Sequence, residues 1–114
     1  MKNYFFVLFT TMMVLLIGSC SVNHSKSSSG AKSFLVDVRT PEEFAEGSVN
    51  EAVNIPLNEI ESRSKEFEGK DEIIVFCRSG NRSSQAQRIL QQNGIQHVVN
   101  GGTWQQVAQT MQQQ

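Results

Sequence analysis

Residues Ile73, Ile74, Val75 and Phe76 are apolar without a break and run directly into Cys77. A strand with one face in water alternates apolar and polar side chains. An unbroken, largely β-branched run therefore predicts a strand over Glu72–Cys77 covered on both faces, as in a parallel sheet under helices. Parallel neighbours need crossover connections, so the fold expected is α/β if the rest of the chain supplies helices between strands.

It does so in order. Phe34–Val38 (FLVDV) reads as a strand, and Thr40 followed by Pro41, Glu42 and Glu43 reads as a capped helix start, with Phe44 facing the core and Gly47 as the stop. Ala52–Ile55, closed by Pro56, predicts a second short strand. Asn58–Phe67 predicts a helix carrying Ile60 and Phe67 on one face. Ser84–Asn93 predicts another, with Ala86, Ile89 and Leu90 inward and Gly94 as a C-cap. Gln96–Val99 is expected as the last strand and Gly101-Gly102 as a turn. Thr103 then caps a final helix that buries Trp104, Val107 and Met111. The result is a small, mainly parallel sheet with helices on both faces, a three-layer α/β/α domain over residues 34–114.

A chain of 114 residues with 39% hydrophobic residues has room for one such core. Residues 1–19 are expected to lie outside it as a signal peptide: Lys2 precedes an apolar run from Tyr4 to Ile17 that is interrupted only by Thr10 and Thr11. That run is 14 residues long, against the roughly 20 of a stable transmembrane helix. Ile17-Gly18-Ser19-Cys20 resembles the lipobox of bacterial lipoproteins, which implies a lipidated Cys20 as the mature N-terminus, an exported chain facing the periplasm, and anchorage in the outer membrane. Residues 20–33, with five Ser between Ser21 and Ser29, read as a flexible tether. His24 in it has no second ligand at metal spacing, and no metal or cofactor is expected.

With Cys20 lipidated, Cys77 is the sole thiol of an exported domain, hence either a buried small hydrophobe or a reactive group. In open α/β sheets, ligands sit at the carboxyl ends of strands, and Cys77 is at one. The residues after it, Arg78-Ser79-Gly80-Asn81-Arg82-Ser83, turn into a helix N-terminus. Amides and the positive end of the helix dipole then gather at the sulfur and favour thiolate. Gly80 permits torsions that point successive amides inward as an anion nest, and Arg78 and Arg82 bring fixed positive charge. All 11 acidic residues lie between Asp37 and Glu72, whereas Ile73–Gln114 holds three Arg and no acid, so the loop reads as locally positive. The overall net charge is −1 and no nucleic-acid partner is expected.

Three ordered segments, DVRTPEEFAEGSVNEAVNIPL, IIVFC with CRSGNRS, and VVNGGTWQQV, resemble the signatures of rhodanese domains and span residues 34–108. The resemblance implies a sulfurtransferase in which Cys77 takes sulfane sulfur from thiosulfate or a related anionic donor as a persulfide and passes it to cyanide or a thiol. It also implies that the amides of Arg78–Ser83 cradle the anion, that Arg78 and Arg82 hold its oxygens, and that Asp37 and Arg39 support the fold beside the site as an ion pair. Where the family has G-H-I-P-G-A this chain reads Gly47-Ser48-Val49-Asn50-Glu51-Ala52, which leaves the conformation of that loop open. Trp104 reads as a core anchor, and His97 as a strand residue without an assigned partner.

Cys-dependent phosphatases and arsenate reductases use the same thiolate and cradle, but with an Arg six positions after the Cys; here that position is Ser83 and Arg82 is the fifth. A non-enzymatic persulfide carrier handing sulfur to a protein acceptor, or a thiol-redox or binding module, is equally compatible with the loop.

Overall fold

The computed structural model describes residues 32–114; the expected signal peptide, Cys20, His24 and most of the Ser-rich tether lie outside the described residues. Four strands, β1 (Phe34–Asp37), β2 (Val53–Asn54), β3 (Ile73–Cys77) and β4 (Val98–Thr103), form one sheet in the order β2-β1-β3-β4. Every neighbouring pair is parallel. Three α-helices, α1 (Pro41–Glu46), α2 (Asn81–Gln92) and α3 (Trp104–Met111), provide crossovers and cover.

The unbroken apolar run of β3 is explained by the two cores it separates. Ile73, Val75 and Cys77 point into a core shared with Val36, Ala86 of α2 and Leu90 of α2. Ile74 and Phe76 point the other way, against Leu35, Trp104 and Val107 of α3. Side chains of a strand alternate between faces, so each needs an apolar partner.

Helix α1 begins as expected. Thr40 accepts from the Glu43 N–H and the Glu43 carboxylate returns to the Thr40 N–H, a reciprocal cap. Phe44, however, is only half-buried and joins neither core. The helix expected over Asn58–Phe67 is instead two short 3-10 turns, Leu57–Glu59 and Ser64–Phe67, joined by turn residues. Ile60 and Phe67 are both buried nonetheless, so the core demanded these two side chains and not a continuous helix between them. Helix α2 starts at Asn81, three residues before the expected Ser84.

The expected Gly101-Gly102 turn is part of β4. Asn100 pairs with Val75 and Gly102 with Phe76, so Gly101 is the extra residue of a β-bulge. A Cβ on Gly101 would lie 2.6 Å from Val107 Cγ2 and 2.8 Å from Ile74 Cγ2, which is why glycine lets α3 close on the sheet here. Thr103 caps α3 through a second reciprocal box with Gln106. Val107 is buried, while Trp104 and Met111 are half-buried against the second core.

Candidate active site

Strand β3 delivers Cys77 to its carboxyl end, and Gly80, at φ +89°, bends the chain so that α2 can start one residue later. No side chain caps α2, so its first amides are left for whatever occupies the loop. The sulfur takes one of them: the Gly80 N–H donates to Cys77 Sγ at 3.0 Å. Ser83, one turn into α2, brings its hydroxyl to 3.4 Å from the sulfur and is itself fully buried.

Burial pushes the Cys77 thiol up, yet hydrogen bonding from the Ser83 hydroxyl and from the amides of Ser83, Ser79 and Gly80 outweighs it and holds the thiol below its usual value. The donors that face the sulfur are thus a hydroxyl and backbone amides, with no charged side chain hydrogen-bonded to it. Cys77 is 0% exposed.

The two arginines expected beside the sulfur have different fates. Arg82 is clamped by Glu43 through Nη1–Oε2 at 2.8 Å and Nη2–Oε1 at 3.0 Å. The pair holds the Glu43 carboxyl down at about 2, the Arg82 hydrogen bond being the largest cause and the Thr40 amide the next. An acid from the N-terminal half therefore enters the stretch that is acid-free in sequence, and half of the expected positive charge is already matched. Arg78 is exposed and lines a cleft of about 250 Å³ with Arg39, Glu43, Glu46, Trp104 and Gln105. Ser79 and Asn81 are exposed on the rim of the loop.

Asp37 and Arg39 form the buried pair under that cleft, with Asp37 0% and Arg39 5% exposed. Arg39 Nη2 donates to Asp37 Oδ2 at 2.7 Å and to the Gly47 carbonyl at 2.6 Å, and the guanidinium stacks over Trp104 at 5.3 Å from the ring centre. Ser48, where the family pattern carries His, donates its hydroxyl to Asp37 Oδ2 at 2.7 Å. The atypical loop is therefore tied to the pair by a shorter side chain. Glu51, where the pattern carries Gly, sits at φ +67°.

Asn100 is a site residue that sequence reading did not find. From β4 its Oδ1 accepts from the Ser83 hydroxyl at 2.7 Å and from the Gly102 N–H at 3.0 Å, and its Nδ2 donates to the Gly80 carbonyl at 3.1 Å. A signal was present: Asn100 is two residues from buried Val98, hence on the α2 side of a strand. Ending that strand at Val99 concealed it.

With this geometry in view, a family profile described as the rhodanese-like domain matches residues 22–107. A sulfurtransferase of Allochromatium vinosum is 41% identical over 66 residues, covering 58% of this chain and 62% of that protein. Thiosulfate sulfurtransferase PspE of Escherichia coli is 37% identical over 75 residues, covering 64% of this chain and 72% of that one. Among solved structures, a rhodanese with anions from E. coli superposes with a TM-score of 0.62 at 35% identity, over 68% of this chain and 93% of the other. Human single-domain sulfurtransferase TSTD1 gives 0.59 at 28% identity, over 70% and 84%. The matched segment spans 36% of one curated relative, a putative sulfur carrier protein of Bacillus subtilis, and 62% of the Allochromatium protein.

Proposed function

Because the chain belongs to the rhodanese-like domain family, we propose that it is a sulfurtransferase whose sulfur carrier is Cys77. The observation that carries the reading is the sulfur at the end of β3, with the Gly80 amide at 3.0 Å and the Ser83 hydroxyl at 3.4 Å above the open N-terminus of α2. Those donors favour thiolate, the form that attacks.

Thiosulfate is the proposed donor. The Cys77 thiolate bonds to its outer sulfur, the bond between the two sulfur atoms breaks, and sulfite leaves with the electron pair. The persulfide anion then gives its outer sulfur to cyanide or to a thiolate acceptor, and the Cys77 thiolate is regenerated. The amides of the loop, with Arg78 at the mouth of the cleft, hold the oxyanion end. No cofactor is required by these steps.

The test is to incubate the full chain with thiosulfate and cyanide, following thiocyanate and the intact mass. A sulfur adduct that is present in the parent and lost in Cys77→Ser is expected. A Cys77→Ser variant that still gains sulfur and turns over would overturn the reading.

The burial of Cys77 favours a second reading, a persulfide carrier that gives up its sulfur to a protein acceptor and not to a small one. An adduct that forms stoichiometrically without thiocyanate production is its signature.

The leader argues for export and for a lipid on Cys20, placing the domain at the periplasmic side of the outer membrane. Metabolic labelling with a fatty-acid analogue is expected to mark the parent and not Cys20→Ser; equal labelling of both would remove the anchor.

A further inference from the structure

Ser83 has one hydroxyl proton and two acceptors within reach, Asn100 Oδ1 at 2.7 Å and Cys77 Sγ at 3.4 Å. One proton cannot serve both at once. Asn100 holds the opposite side of the loop as well, since its Nδ2 binds the carbonyl of Gly80, whose own N–H donates to the sulfur. The amide orientation is fixed because Oδ1 also accepts from the Gly102 N–H, at the bulge that turns β4.

We propose that Asn100 is a positioning residue for Cys77: its Oδ1 accepts the Ser83 hydroxyl hydrogen bond while Sγ is neutral and gives that hydrogen bond up to Sγ when the sulfur is a thiolate. A neutral thiol donates a hydrogen bond to Ser83 Oγ, and the Ser83 hydroxyl donates in turn to Asn100 Oδ1. A thiolate is the stronger acceptor and draws the hydroxyl across. The persulfide half of the cycle rests on the sulfur-transfer reading. When the Cys77 thiolate takes sulfur and sulfite departs, the negative charge moves to the outer sulfur and Sγ becomes a neutral disulfide-type atom. The hydroxyl then returns to Asn100. When an acceptor removes the outer sulfur, the thiolate re-forms and the hydroxyl swings back. The proton stays on Ser83 throughout, so no acid or base is consumed.

Other charges around the sulfur are Arg78 and Arg82 from the loop and α2, Asp37 from β1 with Arg39 just after it, and Glu43 paired to Arg82 from α1. Strand β4 and helix α3 bear no charged side chain, and Asn100→Ala and Ser83→Ala leave the charge set unchanged.

The experiment is a titration of Cys77 in the full chain carrying Cys20→Ser, by carbon NMR of labelled cysteine, which reads a buried thiol directly. Removing the competing acceptor in Asn100→Ala is expected to lower the thiol pKa, raising the thiolate-to-thiol ratio about fivefold, the effect of one net hydrogen bond of ordinary strength. In a Ser83→Ala background the same change is expected to leave the pKa in place. A loosened loop would lose amide donors and raise it. A rise in the parent background, or equal shifts in both, overturns the proposal. Should Asn100→Ala fail to fold, Asn100→Asp carries the test with the opposite sign: it raises the pKa more in the parent than in Ser83→Ala, and equal rises overturn the proposal. The titration pattern without any sulfur adduct from thiosulfate supports the hydroxyl device while removing sulfur transfer as its use.

Discussion

Arg78 and Arg82 are two fixed cations four residues apart in one loop, and their surroundings divide their roles. Arg82 is matched by Glu43 with two hydrogen bonds, whereas Arg78 stands exposed at the cleft. Arg78→Ala is therefore expected to raise the apparent donor KM severalfold with kcat little changed, as for a contact already made in the ground state. Arg82→Ala is expected to act mainly on stability. Its partner sets the pH dependence. The Glu43 pKa is depressed in the folded chain, so the stabilisation is complete above its ordinary value of 4.5 and is lost as pH falls toward about 2. Urea unfolding of the parent and of Glu43→Gln is expected to differ by about 1 kcal/mol at neutral pH and to converge in that acid window. A difference that persists at the acid end would assign the loss to the Thr40 cap and not to the ion pair.

Among the elements, the connection from α1 to β2 departs most from the family pattern. Its Ser48 replaces a longer side chain and still reaches Asp37, while Val49 is buried, so the loop keeps its anchor points. Glu51 is the strained member: an L side chain at φ +67° costs roughly 1–2 kcal/mol. Glu51→Gly is expected to raise unfolding free energy by about 1 kcal/mol, less than the full strain because glycine also gains freedom in the unfolded chain and the surface pair with Lys32 is lost. Thermal and denaturant unfolding check it; an unchanged or lower stability would mean that the Lys32 contact outweighs the backbone strain. Helix caps were legible here because they are local: Thr40 with Glu43 and Thr103 with Gln106 each close within four residues. The 3-10 turns between Leu57 and Phe67 were not, since Ile60 and Phe67 satisfy a helical period and a pair of separate turns equally well.

Across the whole molecule, the buried Asp37–Arg39 pair joins the end of β1 to the Gly47 carbonyl, Ser48 and the face of Trp104 on α3. It ties three separate segments to one side of the cleft. Arg39→Ala is expected to cost about 3–5 kcal/mol in equilibrium unfolding because it leaves a fully buried carboxylate without its counter-ion. Arg39→Ala paired with Asp37→Ala is expected to cost less than the sum, and strict additivity would show that the two side chains act independently.

By itself the sequence determined the class of fold, the two-faced strand and the place of Cys77 at its end. Those follow from hydrophobic period and local capping, which are properties of neighbours along the chain. It also carried the family signature, from which the chemistry was expected. The tertiary structure alone decided which groups meet the sulfur. Glu43 reaches Arg82 from 39 positions away, and Asn100 reaches Ser83 from 17. Such pairings depend on strand order and on the bulge at Gly101, where close packing of α3 against β3 decides how far β4 continues; no local pattern encodes that approach.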